Sequence, residues 1–202
     1  MIVDTVVMAE SFYEMTTSYG SGGYWEPYKI EGTPDDVVNL WGKSTFDHFQ
    51  ALYDDPVERV AAGVRLLDSY HLFDKEEEII IPSWKHIVTD FRVLTANDLA
   101  VIENLVPSGS LYPIGNFVGG LTFKSFTVDQ SYYLKYLKER LVKLGVEFRH
   151  EKVESVDDVC HGEFNVVLNC CGIQGSKVSG DNNVCKSIRG QVVRIRYESE
   201  HI

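Results

Sequence analysis

Apolar residues along this chain return at two different periods. Leu134, Leu137, Leu141 and Leu144 recur at steps of three, four and three, the spacing of one helix face, so a helix is predicted over Asp129–Leu144. Thr127 and Gln130 form a candidate capping box before it, and Gly145 stands where a C-terminal glycine cap is expected. Pro34, Asp35 and Asp36 open a second helical stretch, with Val37, Leu40, Trp41 and Phe49 among its apolar positions. Thr95, with Asp98 three residues on, starts a third.

Other stretches read as strands. Ile2–Met8, with Val3, Val6 and Val7, is a buried strand that ends at Ala9 and Glu10. Val64–Phe73 is a second, and Phe117–Phe126 a third, broken at Gly119 and Gly120. Val146–Phe148 begins another, and Val153–Val156 is a short extended piece. Phe164–Cys170 is nearly continuous in apolar residues, as in a strand covered on both faces. Gln191–Tyr197 alternates, which predicts a half-exposed strand with Arg194 and Arg196 on its solvated side. Glu76–Glu78 reads as a solvated turn, and Pro82–Phe91 as a short helix or loop.

This order predicts an α/β protein: a nucleotide-binding framework interrupted by a strand-rich section from about Val64 to Phe126. The strands at 1–8, at Phe148 and at 164–170 should be neighbours in one sheet, with the 129–144 helix on a face. Val64–Phe73 and Phe117–Phe126 should lie in a different, mostly antiparallel sheet.

Composition narrows the possibilities. The 202 residues carry a net charge of −11, and so acidic a surface repels phosphate backbones, which argues against nucleic acid as a partner. No basic run suggests a membrane surface, no stretch approaches the roughly 18 apolar residues of a spanning helix, and Met1–Glu10 lacks the basic start of a signal peptide. Cys160, Cys170, Cys171 and Cys185 fit no zinc spacing and are expected to be reduced thiols, Cys170 in the core. His48, His71, His86, His150, His161 and His201 show no metal-ligand spacing on a shared helix.

Two places carry candidate chemistry. Glu10, at the tip of its strand, is placed to accept hydrogen bonds from both ribose hydroxyls of a dinucleotide, although acidic residues also end many strands. The segment Thr16–Tyr28 offers the hydroxyls of Thr16, Thr17 and Ser18 to a pyrophosphate, two glycines, Gly22 and Gly23, for close approach to a flat ring, and Tyr24 and Trp25 to wall that ring. Its residues read equally as a surface loop of small side chains with two buried aromatics.

The segment Met15–Tyr28 resembles the flavin-contacting loop of the D-amino-acid oxidase and D-aspartate oxidase family, Thr-Thr-(Ser/Thr)-Asp-x-Ala-Ala-Gly followed by a Trp-x-Pro-Tyr-like end. Further resemblances follow in order: Asp68–Phe73, Asp90–Thr95, Tyr133–Leu141, Lys152–Ser155, Val166–Gly172 and Arg189–Val192. The resemblance implies a Rossmann-like FAD-binding framework over 1–50 and 127–190, a substrate-domain portion over 51–126, and a return toward that domain over 191–202. It implies FAD as cofactor, held by Glu10, Thr16, Thr17, Ser18, Gly22, Gly23, Tyr24, Trp25, Val153, Cys171 and Gly172, with Glu26 and Tyr28 toward the substrate. It implies oxidation of a D-amino acid by molecular oxygen to a 2-oxo acid, ammonia and hydrogen peroxide, in a peroxisomal or otherwise cytoplasmic enzyme.

Two family features have no counterpart in these residues: the amino-terminal Gly-x-Gly-x-x-Gly turn, and the carboxyl-terminal arginine and tyrosines that hold the substrate. The resemblance is therefore to the middle of such an enzyme, with weak FAD binding and negligible turnover expected of this chain alone. The alternative is a non-catalytic truncated product or splice form. Neutral and acidic substrates are not distinguished by these residues, and oligomeric state is not legible.

Overall fold

The computed structural model describes residues 4–28, 30–105, 117–160, 164–181 and 190. The expected strand at Gln191–Tyr197 with Arg194 and Arg196, the first residues of Ile2–Met8, and Cys185, His161 and His201 lie outside the described residues. In chain order the elements are β1 (Val6–Ala9), α1 (Asp35–Asp54), α2 (Pro56–Ala62), β2 (Val64–Phe73), β3 (Thr89–Val93), α3 (Ala96–Leu105), β4 (Gly119–Val128), α4 (Gln130–Lys143), β5 (Glu147–His150), α5 (Val156–Cys160) and α6 (Gly175–Ser179). The molecule is a mixed α/β protein with one parallel and one antiparallel sheet. It divides into two compact units, Met1–Ser21 with Leu134–Ile202, and Gly22–Tyr133.

The Gly22–Tyr133 unit is built on the antiparallel sheet β2-β4-β3. β2 and β4 pair from Val64↔Val128 to Phe73↔Gly119. Gly119 and Gly120 begin β4 rather than breaking it, and a Cβ on Gly120 would lie 2.6 Å from Leu94 and 2.8 Å from the His71 carbonyl. A short strap, Gly23–Trp25, adds to the other side of β4: Val128 N–H donates to Gly23 O at 2.8 Å and Trp25 N–H to Phe126 O at 2.8 Å. Gly23 has φ +64°, and a Cβ there would stand 1.9 Å from Val128 O, so the pairing itself demands glycine.

Helix α1 supplies the cover. Asp35 and Asp36 fill its first turn, where negative charge suits the helix dipole. Its buried positions are Val38, Phe46 and Leu52, whereas the expected Leu40 and Trp41 are exposed at 68% and 59%. The sheet selects the stripe Val38, Gly42, Phe46, Phe49 and Tyr53. Phe126, fully buried on β4, meets the rings of Phe46, Phe49 and Tyr53 at centroid distances of 4.8, 6.2 and 5.8 Å, while Gly42 O accepts the Trp25 indole N–H at 3.1 Å. Asp55 caps α2 through Val57 and Glu58 N–H at 2.8 and 3.1 Å, and Gly63, with φ +66°, turns the chain into β2.

At α3 the Thr95–Asp98 capping box forms as expected: Thr95 N–H donates to Asp98 at 2.8 Å and Asp98 N–H to Thr95 Oγ1 at 3.3 Å. The Arg92 guanidinium, 2.7 Å from the same carboxylate, together with Thr95 holds Asp98 far below the usual carboxylate range. At α4 the cap differs from expectation. Thr127 stays in β4, and Asp129 accepts from the Ser131 N–H at 2.9 Å.

In the other unit β1 and β5 pair in parallel, Val6↔Glu147 through Ala9↔His150. Gly145, with φ +86°, ends α4, and Val146 N–H reaches back to Leu141 O at 3.0 Å. The Lys138 ammonium of α4 stands over the rings of Phe12, Tyr13 and Phe148 at 5.3, 5.0 and 5.1 Å. Two expectations fail here. The run Phe164–Cys170 joins no ladder, Val166 and Leu168 are 76% and 82% exposed, and Cys170 is exposed rather than in the core. An apolar run becomes a buried strand only with a paired neighbour and a covering layer, and among the described residues β1 and β5 pair only with each other. The extended piece at Val153 stops at Ser155, whose hydroxyl accepts from Asp157 N–H at 3.2 Å and starts α5.

Because Phe126 joins the sheet to α1, Phe126→Ala is expected to cost about 3–5 kcal/mol. Urea unfolding monitored by tryptophan fluorescence measures it.

Candidate functional site

The residues singled out from the sequence fall on both units, and each group has its own local logic. Glu10 follows β1 directly. Glu151 N–H, next after β5, donates to Ala9 O at 3.0 Å, so Glu10 and Val153 both lie just past the carboxyl ends of the two parallel strands. That is the end of an α/β sheet where ligands gather. Glu10 is exposed there, and Lys152, which is ion-paired to Glu154 at 2.7 Å, also feels its charge.

The segment after β1 is more ordered than its composition suggests. It makes two short 3-10 turns, Tyr13–Met15 and Ser18–Gly20. The Thr16 hydroxyl joins them, donating to Tyr13 O at 2.6 Å and accepting from Tyr19 N–H at 3.3 Å. Thr17 and Ser18 are exposed. Tyr13 adopts φ +55°, a costly conformation outside glycine. Cys171 and Gly172 sit on an exposed turn; Cys171 N–H donates to Asn169 Oδ1 at 3.2 Å, and Gly172 takes φ +58° with open space around it.

On the Gly22–Tyr133 unit the strap sorts its side chains by alternation. Trp25 turns to the α1 side, 6% exposed, edge-on to Phe46 at 5.0 Å and Trp84 at 5.8 Å. Its indole therefore serves the core and leaves Tyr24 as the strap's open aromatic. Tyr24 is opposite Thr127 and on the other face, where its hydroxyl shares hydrogen bonds with the side chains of Ser69 and Ser125. Ser125, fully buried, donates to Trp25 O at 2.7 Å. Gly22 has open space where a Cβ would go. Tyr28 is 62% exposed.

Glu26 follows on the same face as Tyr24. Its Oε1 is 3.6 Å from His71 Nε2. His71 shares that face through β2, edge-on to Phe123 at 5.1 Å. Burial pushes the Glu26 carboxyl up, and His71 pulls it partly back. Burial likewise pushes the Tyr24 phenol up; the Ser69 hydrogen bond opposes this, the charge of Glu26 adds to it, and Ser125 opposes it again. A cavity of about 310 Å³ opens over Tyr24, Leu67, Ser69 and His71, with Asp68 and Tyr70 at its border. A second, of about 330 Å³, lies between the strap and α1 and includes Glu26, Trp41 and Phe49.

His71, Ser69 and Ser125 were not anticipated. The signal was present: in β2 the positions Leu67, Ser69 and His71 alternate, and setting them opposite Ser125, Phe123 and Leu121 would have placed two hydroxyls and an imidazole on one face.

The molecule is thus a two-unit α/β protein with polar groups past the ends of a parallel strand pair and a polar cavity on an antiparallel sheet. Comparison with known proteins is specific. The family model described as FAD dependent oxidoreductase matches residues 4–202. The chain belongs to this FAD-dependent oxidoreductase family. It is 30% identical to D-aspartate oxidase 1 of Caenorhabditis elegans over 94% of this chain and 52% of that protein. It is 25% identical to D-aspartate oxidase of Homo sapiens, over 94% and 51%. It is 30% identical to D-amino-acid oxidase of Rubrobacter xylanophilus, also over 94% and 51%. The chain thus spans about half the length of the curated relatives it matches. Among the described residues no three His, Cys, Asp or Glu side chains cluster to hold a metal, and no helix is long and apolar enough to cross a membrane.

The raised Glu26 carboxyl yields a signed prediction. Its neutral form is favoured in the fold, so its stabilising share is complete below the ordinary carboxylate range and is lost as pH rises through the raised value. Glu26→Gln should therefore melt higher than wild type at neutral pH, and the gap should close as the solution is acidified. Thermal melts of both proteins over pH measure it.

Proposed function

We propose that this chain forms part of an FAD-dependent oxidase of D-amino acids. The observation that carries the reading is the position of Glu10 and Val153 just beyond the carboxyl ends of β1 and β5, within a chain of the FAD-dependent oxidoreductase family. Glu10 is placed to accept from the two ribose hydroxyls of the adenosine half, with Val153, Cys171 and Gly172 contributing backbone near it. This assigns a Rossmann-like role to the parallel pair. Thr17 and Ser18 keep exposed hydroxyls for the pyrophosphate, while Thr16 braces the turn from which they project. Gly22, Gly23 and Tyr24 are the residues assigned to the flavin ring, with Trp25 holding the strap from the core side.

FAD, when bound, supplies the hydride acceptor for the substrate α-carbon and passes the electrons to molecular oxygen, giving hydrogen peroxide. The chain's own residues orient and enclose: Tyr24, Glu26 and Tyr28 line the approach, and the fully buried Ser125 fixes the Trp25 carbonyl between Tyr24 and Glu26. Proper placement of the α-carbon contributes on the order of 7–11 kcal/mol to such a reaction, which is why a rigid strap matters.

Titration with FAD, read by the visible flavin band, tests the cofactor assignment. Glu10→Ala should weaken binding by about ten- to a hundredfold, the worth of ~1.5–3 kcal/mol for hydrogen bonds to a charged group. Gly22→Trp is the probe for the ring, because Gly22 has open space whereas any side chain at Gly23 strikes Val128 O. It should weaken FAD while leaving the far-ultraviolet circular dichroism unchanged. A flavin spectrum and fluorescence at saturating FAD identical to those of free FAD, or Glu10→Ala binding like wild type, would contradict the reading.

A further inference from the structure

The cavity on the open face of the antiparallel sheet has a definite charge character. Tyr24, Leu67, Ser69 and His71 line it from one face of the sheet, while Asp68 alternates to the opposite face, where it pairs across β4 with Lys124. Glu26 stands 3.6 Å from His71 and belongs to the neighbouring cavity as well, with Tyr24 common to both. Among the described residues no lysine or arginine lines either cavity. Arg92 is held bidentately by Asp98 at 2.7 and 3.1 Å, and Arg65, on the same face of β2 as His71, lies beyond the cavity wall.

An anionic ligand group entering beside the Glu26–His71 pair would meet one carboxylate and one imidazole. Binding a carboxylate in a partly desolvated site calls for a guanidinium or ammonium partner. A cationic or hydrogen-bond-donating group finds instead a carboxylate acceptor, two hydroxyls and aromatic rings, a setting suited to cations. His71, with its Nε2 3.6 Å from Glu26 Oε1, is the partner that positions this carboxylate.

We propose that the Glu26–His71 pair is a side-chain selector, which disfavours D-amino acids with anionic side chains and takes those with cationic or amide side chains. The inference rests on the oxidase reading for the substrate class, but its test does not require turnover.

The test is binding of D-arginine and D-aspartate, by calorimetry, to the protein saturated with FAD under nitrogen so that at most one turnover occurs. The site is located from the His71 signal in histidine-labelled NMR spectra, assigned with His71→Asn. D-Arginine should bind at least about tenfold more tightly than D-aspartate and shift the His71 resonance. Glu26→Gln should abolish that ratio, and Glu26→Asp should retain part of it. His71→Asn should change it as well, because the Glu26 carboxylate loses the partner 3.6 Å away. D-Aspartate binding as well as or better than D-arginine overturns the selector, as does the absence of a saturable His71 shift with either ligand. A ratio unchanged by Glu26→Gln overturns it too. A charge preference without FAD binding would refute the oxidase reading alone, and FAD binding without a charge preference would refute the selector alone.

Discussion

The pairing of the Gly23–Trp25 strap with β4 is the constraint on which the rest depends. Two backbone hydrogen bonds of 2.8 Å and the buried Ser125 hydroxyl at 2.7 Å fix its register. A one-residue slip would exchange every side chain between faces. In the observed register Trp25 goes to the core against Phe46 and Trp84, while Tyr24 and Glu26 go to the open face with Ser69 and His71. Packing and chemistry are thus separated by the pleat of one short segment. Gly23 makes this possible, since its positive φ and the carbonyl of Val128 leave no room for a side chain.

Where the sequence carried its own local signal, structure followed it. β2 spans Val64–Phe73 as its pattern predicts, and α4 ends at the glycine that its periodicity points to. The Thr95–Asp98 box closes because both partners are encoded three residues apart. The failures share one physical origin, dependence on partners distant in sequence. Phe164–Cys170 has the composition of a central strand, but a ladder needs a neighbour, and none forms with the described residues. The face of α1 was not legible: Leu40 and Trp41 are apolar as Phe49 is, yet Gly42 and Phe46 are the positions that Trp25 and Phe126 select. The site was legible to a similar degree. Family resemblance points to Glu10 and the strap, whereas His71 and Ser125 become visible only when β2, β4 and the strap are aligned side by side.

The same logic gives each unit its part. In one, parallel strands bring Glu10 and Val153 to a common edge. In the other, the antiparallel sheet offers a polar wall backed by a continuous aromatic core. The match to the FAD-dependent oxidoreductase family, over residues 4–202, takes in both units.

Amide hydrogen exchange at Trp25 and Val128 tests the strap most directly. Both N–H groups donate across the strap–β4 pairing, so they should exchange as slowly as the amides within β4 and lose protection together with them. Exchange of Trp25 at the rate of the exposed Gly20–Gly22 amides, while β4 remains protected, would contradict the account.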